Sequence, residues 1–330
     1  MSNPSASFTY PLLASQVEPD ELRAALKDDA EQELILNCRT HLNGSESIDD
    51  IACVNGISTA QLQRPLSALA ERGLVIDTHA MLNAKATEQL LESFVIESCF
   101  WSREVLTTRF FRRLRAGDAT SNLISGWVIE TFHYVAAANE YTAAAVAYCH
   151  DNLTTRRRLA DRYFEQHQES EVLLKGLVAA GMESSRVVKS FPLASTRALI
   201  NFLTELAITD WLAFSGALEI VYAVNRGTLD QNIAEYYEQL AQQYPFASEV
   251  LDSMAAFASG SDLARRQGGF LLQAIIDSAA TEGSSTGNRL VTALRDTYEH
   301  FALFFEGVED YYSEPHILLP RRPLDIRTEL

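Results

Sequence analysis

Residues 160–181 read ADRYFEQHQESEVLLKGLVAAG, and this stretch decides the fold class. The acids Asp161, Glu165 and Glu169 recur at i, i+4 and i+8, one face of a helix, with His167 between the last two. Gly181 ends the run with helix-stopping chemistry. The same pattern extends on both sides, predicting helices over 87–115, 119–138, 140–150, 153–181, 195–225, 229–243, 246–258, 261–281 and 285–312. Gly117-Asp118, Phe191-Pro192, Gly227, Tyr244-Pro245, Gly260 and Gly283 punctuate them. Strand-like alternation and solenoid repeats are missing from this region, so residues 87–312 read as one all-α multi-helix bundle.

Composition agrees with a folded protein. Of 330 residues, 47% are hydrophobic and 22% charged. The 44 acidic residues outnumber 27 basic ones, and a net charge of −17 repels phosphate backbones and anionic lipid, which argues against nucleic-acid and membrane partners. A signal core and a long apolar run are both missing, so the sequence reads as cytoplasmic. Cys38, Cys53, Cys99 and Cys149 are scattered without metal-binding spacing and read as buried free thiols.

The first 85 residues differ in texture. Residues 1–30 read as an arm that turns helical at Pro19-Asp20-Glu21-Leu22. Residues 31–85 read as three short helices, around 33–42, 47–54 and 58–72, separated by Asn43-Gly44 and Asn55-Gly56 and followed by the strand-like Leu74-Val75-Ile76-Asp77. Ser58 fits an N-cap and Gly73 a C-cap, with Leu62, Leu66, Leu69 and Ala70 at helical spacing between them. This is a small winged-helix-like domain. DNA binding is disfavoured by six basic against thirteen acidic residues in the first ninety, which leaves capture of a peptide or partner protein, or a structural appendage. Ser313 to Leu330, with Pro315, Pro320 and Pro323, reads as a tail.

Helical bundles build metal and proton-transfer sites from inward carboxylates and histidines. Glu219 in LAFSGALEIVYAV and Asp252 in EVLDSMAAFA are acids in apolar runs, where a carboxylate needs a partner or a function. Glu130 and His133, at i and i+3 in SGWVIETFHYVAAA, together with Tyr222, are candidates to line a pocket; a satisfied core histidine is the plainer reading. Arg112-Arg113 and Arg156-Arg157-Arg158 are the basic clusters of an acidic chain. They fit either an acidic ligand or a solvated face.

From about Thr87 to Asp310 the chain resembles the heme-oxygenase-like diiron oxidase and oxygenase superfamily, relatives of the TenA and pyrroloquinoline-quinone oxidase folds. The resemblance rests on Glu169-Ser170-Glu171-Val172-Leu173-Leu174 leading to Gly181, on Phe191-Pro192-Leu193, on Glu219 in GALEIVYAV, and on Asp252 after Tyr244-Pro245. It implies iron held by Glu165, Glu169, Glu219 and Asp252, with His167, Glu219 and Asp252 as the groups acting in catalysis. The family's histidines are incomplete here: Glu169 stands where the first is expected, and the last motif reads Ser248-x-x-x-Asp252-x-x-Ala255. Carboxylates alone select poorly for iron.

Two functions follow from this reading. One is a biosynthetic oxidoreductase, diiron or cofactorless, acting on a small amino-acid-derived or peptide-bound substrate. The other is a non-catalytic binding or scaffold subunit whose N-terminal module captures a peptide or partner enzyme. A homodimer is left open. In either case Glu219 and Asp252 are expected to share one internal cavity with the Glu165–Glu169 helix, because a carboxylate buried alone costs several kcal/mol.

Overall fold

The computed structural model describes residues 8, 11–14, 17, 19–78, 87–150, 153–166, 169–224, 233–258, 284–314 and 319–321. The chain forms two compact units, Met1–Glu104 with Ile276–Thr292, and Val105–Ile275 with Ala293–Leu330. Among the described residues no helix is long and apolar enough to cross a membrane.

In the first unit, β1 (Pro11–Leu13) precedes four short helices: α1 (Pro19–Ala25), α2 (Asp29–Cys38), α3 (Ile48–Val54) and α4 (Thr59–Ala70). Asp28, Ser47 and Ser58 each accept a backbone N–H at the start of α2, α3 and α4, and Ser58 with Gln61 forms a reciprocal capping box. Gly73, at φ +64°, takes the left-handed conformation that lets the chain leave α4 and enter β2 (Val75–Asp77). β2 pairs antiparallel with β1, Leu12 opposite Ile76. The N-terminal stretch read as an arm therefore supplies one of the two strands. Leu26, Ile35, Cys38, Ile51, Leu62, Leu66 and Leu69 fill the core between these elements.

α5 (Thr87–Leu106) is followed by α6 (Arg109–Ala116), α7 (Ser121–Ala136), α8 (Ala138–Tyr148), α9 (Leu153–Gln166), α10 (Glu169–Ala179), the single turn α11 (Ser184–Val188), α12 (Ala194–Thr209), α13 (Trp211–Val224), α14 (Ile233–Gln243), a 3-10 turn Pro245–Ala247 and α15 (248–258), all in the second unit, and by α16 (Ser284–Tyr312), which belongs to it from Ala293 onward. The helix expected over 261–281 lies outside the described residues. Two helices expected to run through are broken. The 87–115 helix stops at Thr107-Thr108, where Thr108 is extended and the Arg109 amide donates to Glu306 Oε1. The 195–225 helix stops at Asp210, whose carboxylate accepts the Ala213 amide and so caps α13.

α7 is apolar on nearly every side, with Leu123 through Phe132 buried, and is accordingly a central helix packed by α8, α10 and α12. Phe110, Phe111, Trp127 and Phe305 make an aromatic cluster between α6, α7 and α16. The buried Tyr244 donates to the Leu114 carbonyl and accepts the Ala119 amide, fixing the α6–α7 turn. Arg109 pairs with Glu306 and Asp310 at 2.6 Å each, and Arg113 with Glu309 at 3.0 Å. Arg113, in the basic pair of α6, therefore clamps the last helix rather than waiting for an acidic ligand. Of the cysteines, Cys38 and Cys149 are buried as expected, whereas Cys53 is exposed.

Candidate functional site

The most developed polar cluster lies inside the second unit, around Glu130. Its side chain is 0% exposed, deep on the central helix α7. Three donors converge on the carboxylate: the Leu193 amide at 2.9 Å, Thr196 Oγ1 at 2.6 Å and Tyr312 Oη at 2.7 Å. The first two come from the entry to α12 and the third from the last residue of α16. Burial pushes the Glu130 carboxyl up from its ordinary value, against the three hydrogen bonds and the nearby Arg321, which hold it down. Burial beside that carboxyl also pushes the Tyr312 hydroxyl far up, so it stays protonated and donates.

Gly126, one turn before Glu130, makes room for this arrangement. A Cβ there would meet Tyr312 Cγ at 2.3 Å, so only glycine lets the ring lie on α7 with its hydroxyl at Glu130. His133, one turn further along, is 2.8 Å by Nε2 from Ser190 Oγ. Ser190 donates its own proton to the Val187 carbonyl at 2.7 Å, so Nε2 is the donor in its contact with Ser190. Burial, together with the positive charges of Arg197 and Arg321, lowers His133 to about 4. Arg321 itself donates to the Pro192 carbonyl at 3.1 Å.

Sequence reasoning found Glu130, His133 and the Phe191-Pro192-Leu193 segment, and the structure brings these together. It missed Tyr312, Thr196, Ser190 and Arg321. Gly126 was the available signal, a glycine one turn from a buried acid on an apolar helix. Glu130 does not border an open pocket, because protein donors fill its coordination and it is closed to solvent. Its chemistry is that of a tie between α7, α12 and α16.

The expected acid centre is not assembled as a set. Asp252 is exposed, not buried. On α15 the buried positions are Val250, Leu251, Ser253, Met254 and Ala258, and Ser253 packs against Gly176 of α10. Asp252 consequently falls on the solvent stripe with Glu249 and Ala256. Glu169 is half-buried in the first turn of α10. His167 and the side chains of Glu165, Glu219 and Tyr222 lie outside the described residues. Among the described residues no group of three or more histidines, cysteines or acids could hold a metal. With Asp252 turned to solvent, the four carboxylates do not fit two irons as a group.

The first unit contains an open cleft of about 600 Å³ between the end of α1, the start of α2 and α4. Ala25 and Ala68 lie in it, Lys27, Asp28 and Asp29 contribute at one side, and Arg64 meets Glu31 at 3.1 Å.

Residues 100–250 match the family model described as TENA/THI-4/PQQC. Among solved structures, the chain is similar to a domain of unknown function with a heme oxygenase-like fold from Shewanella denitrificans OS217 (16% identity, TM-score 0.51, covering 68% of this chain and 92% of that one). It is also similar to a TenA homologue protein from P. horikoshii OT3 (17%, 0.50, 66% and 97%) and to a TenA family transcription regulator from Silicibacter sp. TM1040 (16%, 0.51, 66% and 96%). No curated protein matches the sequence. The chain therefore has an all-α, heme-oxygenase-like fold, and its residues 100–250 are similar to the TENA/THI-4/PQQC family.

Proposed function

We propose that this protein is a binding subunit of a biosynthetic system, in which the heme-oxygenase-like bundle holds a small amino-acid-derived or peptide-bound molecule and a winged-helix-like module within residues 31–85 engages a peptide or partner enzyme. The observation that carries this reading is the outward direction of Asp252, one of the two acids that match the diiron pattern outright. The mixed-charge cleft of the first unit supports the second half, because the exposed Lys27 and Asp29 offer both signs to an extended polar ligand. The same reading makes the protein cytoplasmic and without nucleic-acid partners.

A second reading, a biosynthetic oxidoreductase using iron, is favoured by one feature. Glu169 is half-buried in the first turn of α10, two residues after His167 and four after Glu165. Those three with Glu219 would then be the ligands, and Asp252 would not. Anaerobic titration with ferrous iron, with metal analysis of protein from iron-rich medium, separates the two. The binding reading expects no stoichiometric iron. One or two irons per chain, lost in Glu219→Ala, would overturn it.

A further inference from the structure

α9 is a helix with one partnered side. Thr155 and Leu159, at i and i+4, are buried, and α8 is its main neighbour. On another side stand Leu153, 82% exposed, and Phe164, 73% exposed, the two most exposed large apolar side chains among the described residues. At 100° per residue, Leu153, Arg157, Ala160 and Phe164 fall within roughly 60° of one another, with Asp161 along the Arg157 edge. Arg157 and Ala160 lie between them, so the four side chains form one strip along the exposed side of α9.

Read in the reverse direction, this face repeats its own pattern. The midpoint between Leu153 and Phe164 and that between Arg157 and Asp161 nearly coincide, next to Leu159. Such a face is complementary to itself under a two-fold axis. We infer that two copies of this chain associate through antiparallel α9 helices, Leu153 of each packing on Phe164 of the second copy. Arg157 then faces Asp161 of the second copy, since both lie on the same edge of the face. Neither has an ion-pair partner among the described residues. Ala160 beside the axis lets the two backbones approach. Charge complementarity also favours a second copy at this place: under the two-fold axis each Arg157 meets an acid and each Asp161 an arginine, so the face matches itself in charge as well as in shape. The leucine–phenylalanine contacts lie about 16 Å apart, and one helix pair makes a small interface. A weak, concentration-dependent dimer follows.

Sedimentation equilibrium of the full chain over a wide concentration range tests this. Leu153→Asp and Phe164→Asp should each weaken association at least about tenfold with unchanged circular dichroism, as expected for loss of an apolar anchor. Arg157→Asp and Asp161→Arg should each weaken self-association, because each variant sets like charges against one another across the axis. An equimolar mixture of those two variants should restore a dimer, because both facing pairs of the mixed dimer then join an acid on one copy to an arginine on the other. A chain that stays monomeric at all concentrations, a dimer indifferent to Leu153→Asp and Phe164→Asp, or a mixture that fails to associate would overturn the proposal.

Discussion

Replacing Gly126 by alanine adds one methyl group to the central helix and should unfold the protein more easily, although alanine is the better helix former. Helix propensity alone favours the substitution by about 1 kcal/mol. Against it, the new Cβ would lie 2.3 Å from Tyr312 Cγ and 2.5 Å from both Cδ atoms, where carbon contacts normally settle near about 3.5–4.0 Å. The ring must retreat by more than about 1 Å. Its hydroxyl sits 2.7 Å from Glu130 Oε1 on the same helix, so the same movement takes it out of hydrogen-bonding range. Overpacking costs about 1–3 kcal/mol and a hydrogen bond to a carboxyl about 1.5–3 kcal/mol, which after the propensity gain leaves a net loss of about 1.5–5 kcal/mol. Urea unfolding followed by circular dichroism measures it, and Tyr312→Leu in the Gly126→Ala background should cost less than Tyr312→Leu alone costs in the wild type. A Gly126→Ala variant as stable as the parent would refute the packing argument.

Three further outcomes follow from the same cluster and its neighbours. Glu130→Ala strands three buried donors and should cost about 4 kcal/mol or more, whereas Glu130→Gln keeps an acceptor for Leu193 and Thr196 and lets Tyr312 reverse its hydrogen bond, costing about 1 kcal/mol or less. Because the folded Glu130 carboxyl is raised from 4.5, its contribution is present below that pH and is lost as pH rises through the folded value; the Gln variant should therefore gain on the parent as pH increases. His133 works in the opposite direction. Its folded value of about 4 lies below 6.5, so the unfolded chain takes up the proton first, and up to about 3 kcal/mol is lost as pH falls between those values. A stability–pH profile of His133→Gln should lack that slope. Arg113→Ala leaves Glu309, 4% exposed, with Ser313 as its remaining side-chain partner among the described residues and should cost about 1–3 kcal/mol by chemical denaturation; Arg113→Lys should recover part of it.

What the sequence made legible was local. Ser58 and Gly73 announce the two ends of α4, and the structure uses Ser58 as the N-cap and Gly73 in the left-handed turn that follows; Gln61, which completes the capping box, was not read. Asp210 was equally local and was passed over, because an acid between two apolar stretches reads as a buried functional group as easily as an N-cap. Asp252 shows a different failure. The spacing of Ala247, Val250, Leu251, Met254 and Ala258 already turns it to solvent, but the resemblance to a ligand motif outweighed the periodicity. Glu130's partners could not be read at all, since Leu193, Thr196 and Tyr312 lie 63, 66 and 182 residues away and only the tertiary fold selects them.

That 182-residue span has a consequence for synthesis on the ribosome. α7 emerges long before Tyr312 does, so during translation the carboxyl at its centre waits without one of its three donors. Leu193 and Thr196 arrive first and can hold a partial assembly of α7 with α12, while the aromatic faces of Phe110 and Phe111 remain uncovered by Phe305. The bundle locks late, and a nascent chain stalled before residue 312 presents to chaperones the apolar surface that the finished last helix conceals.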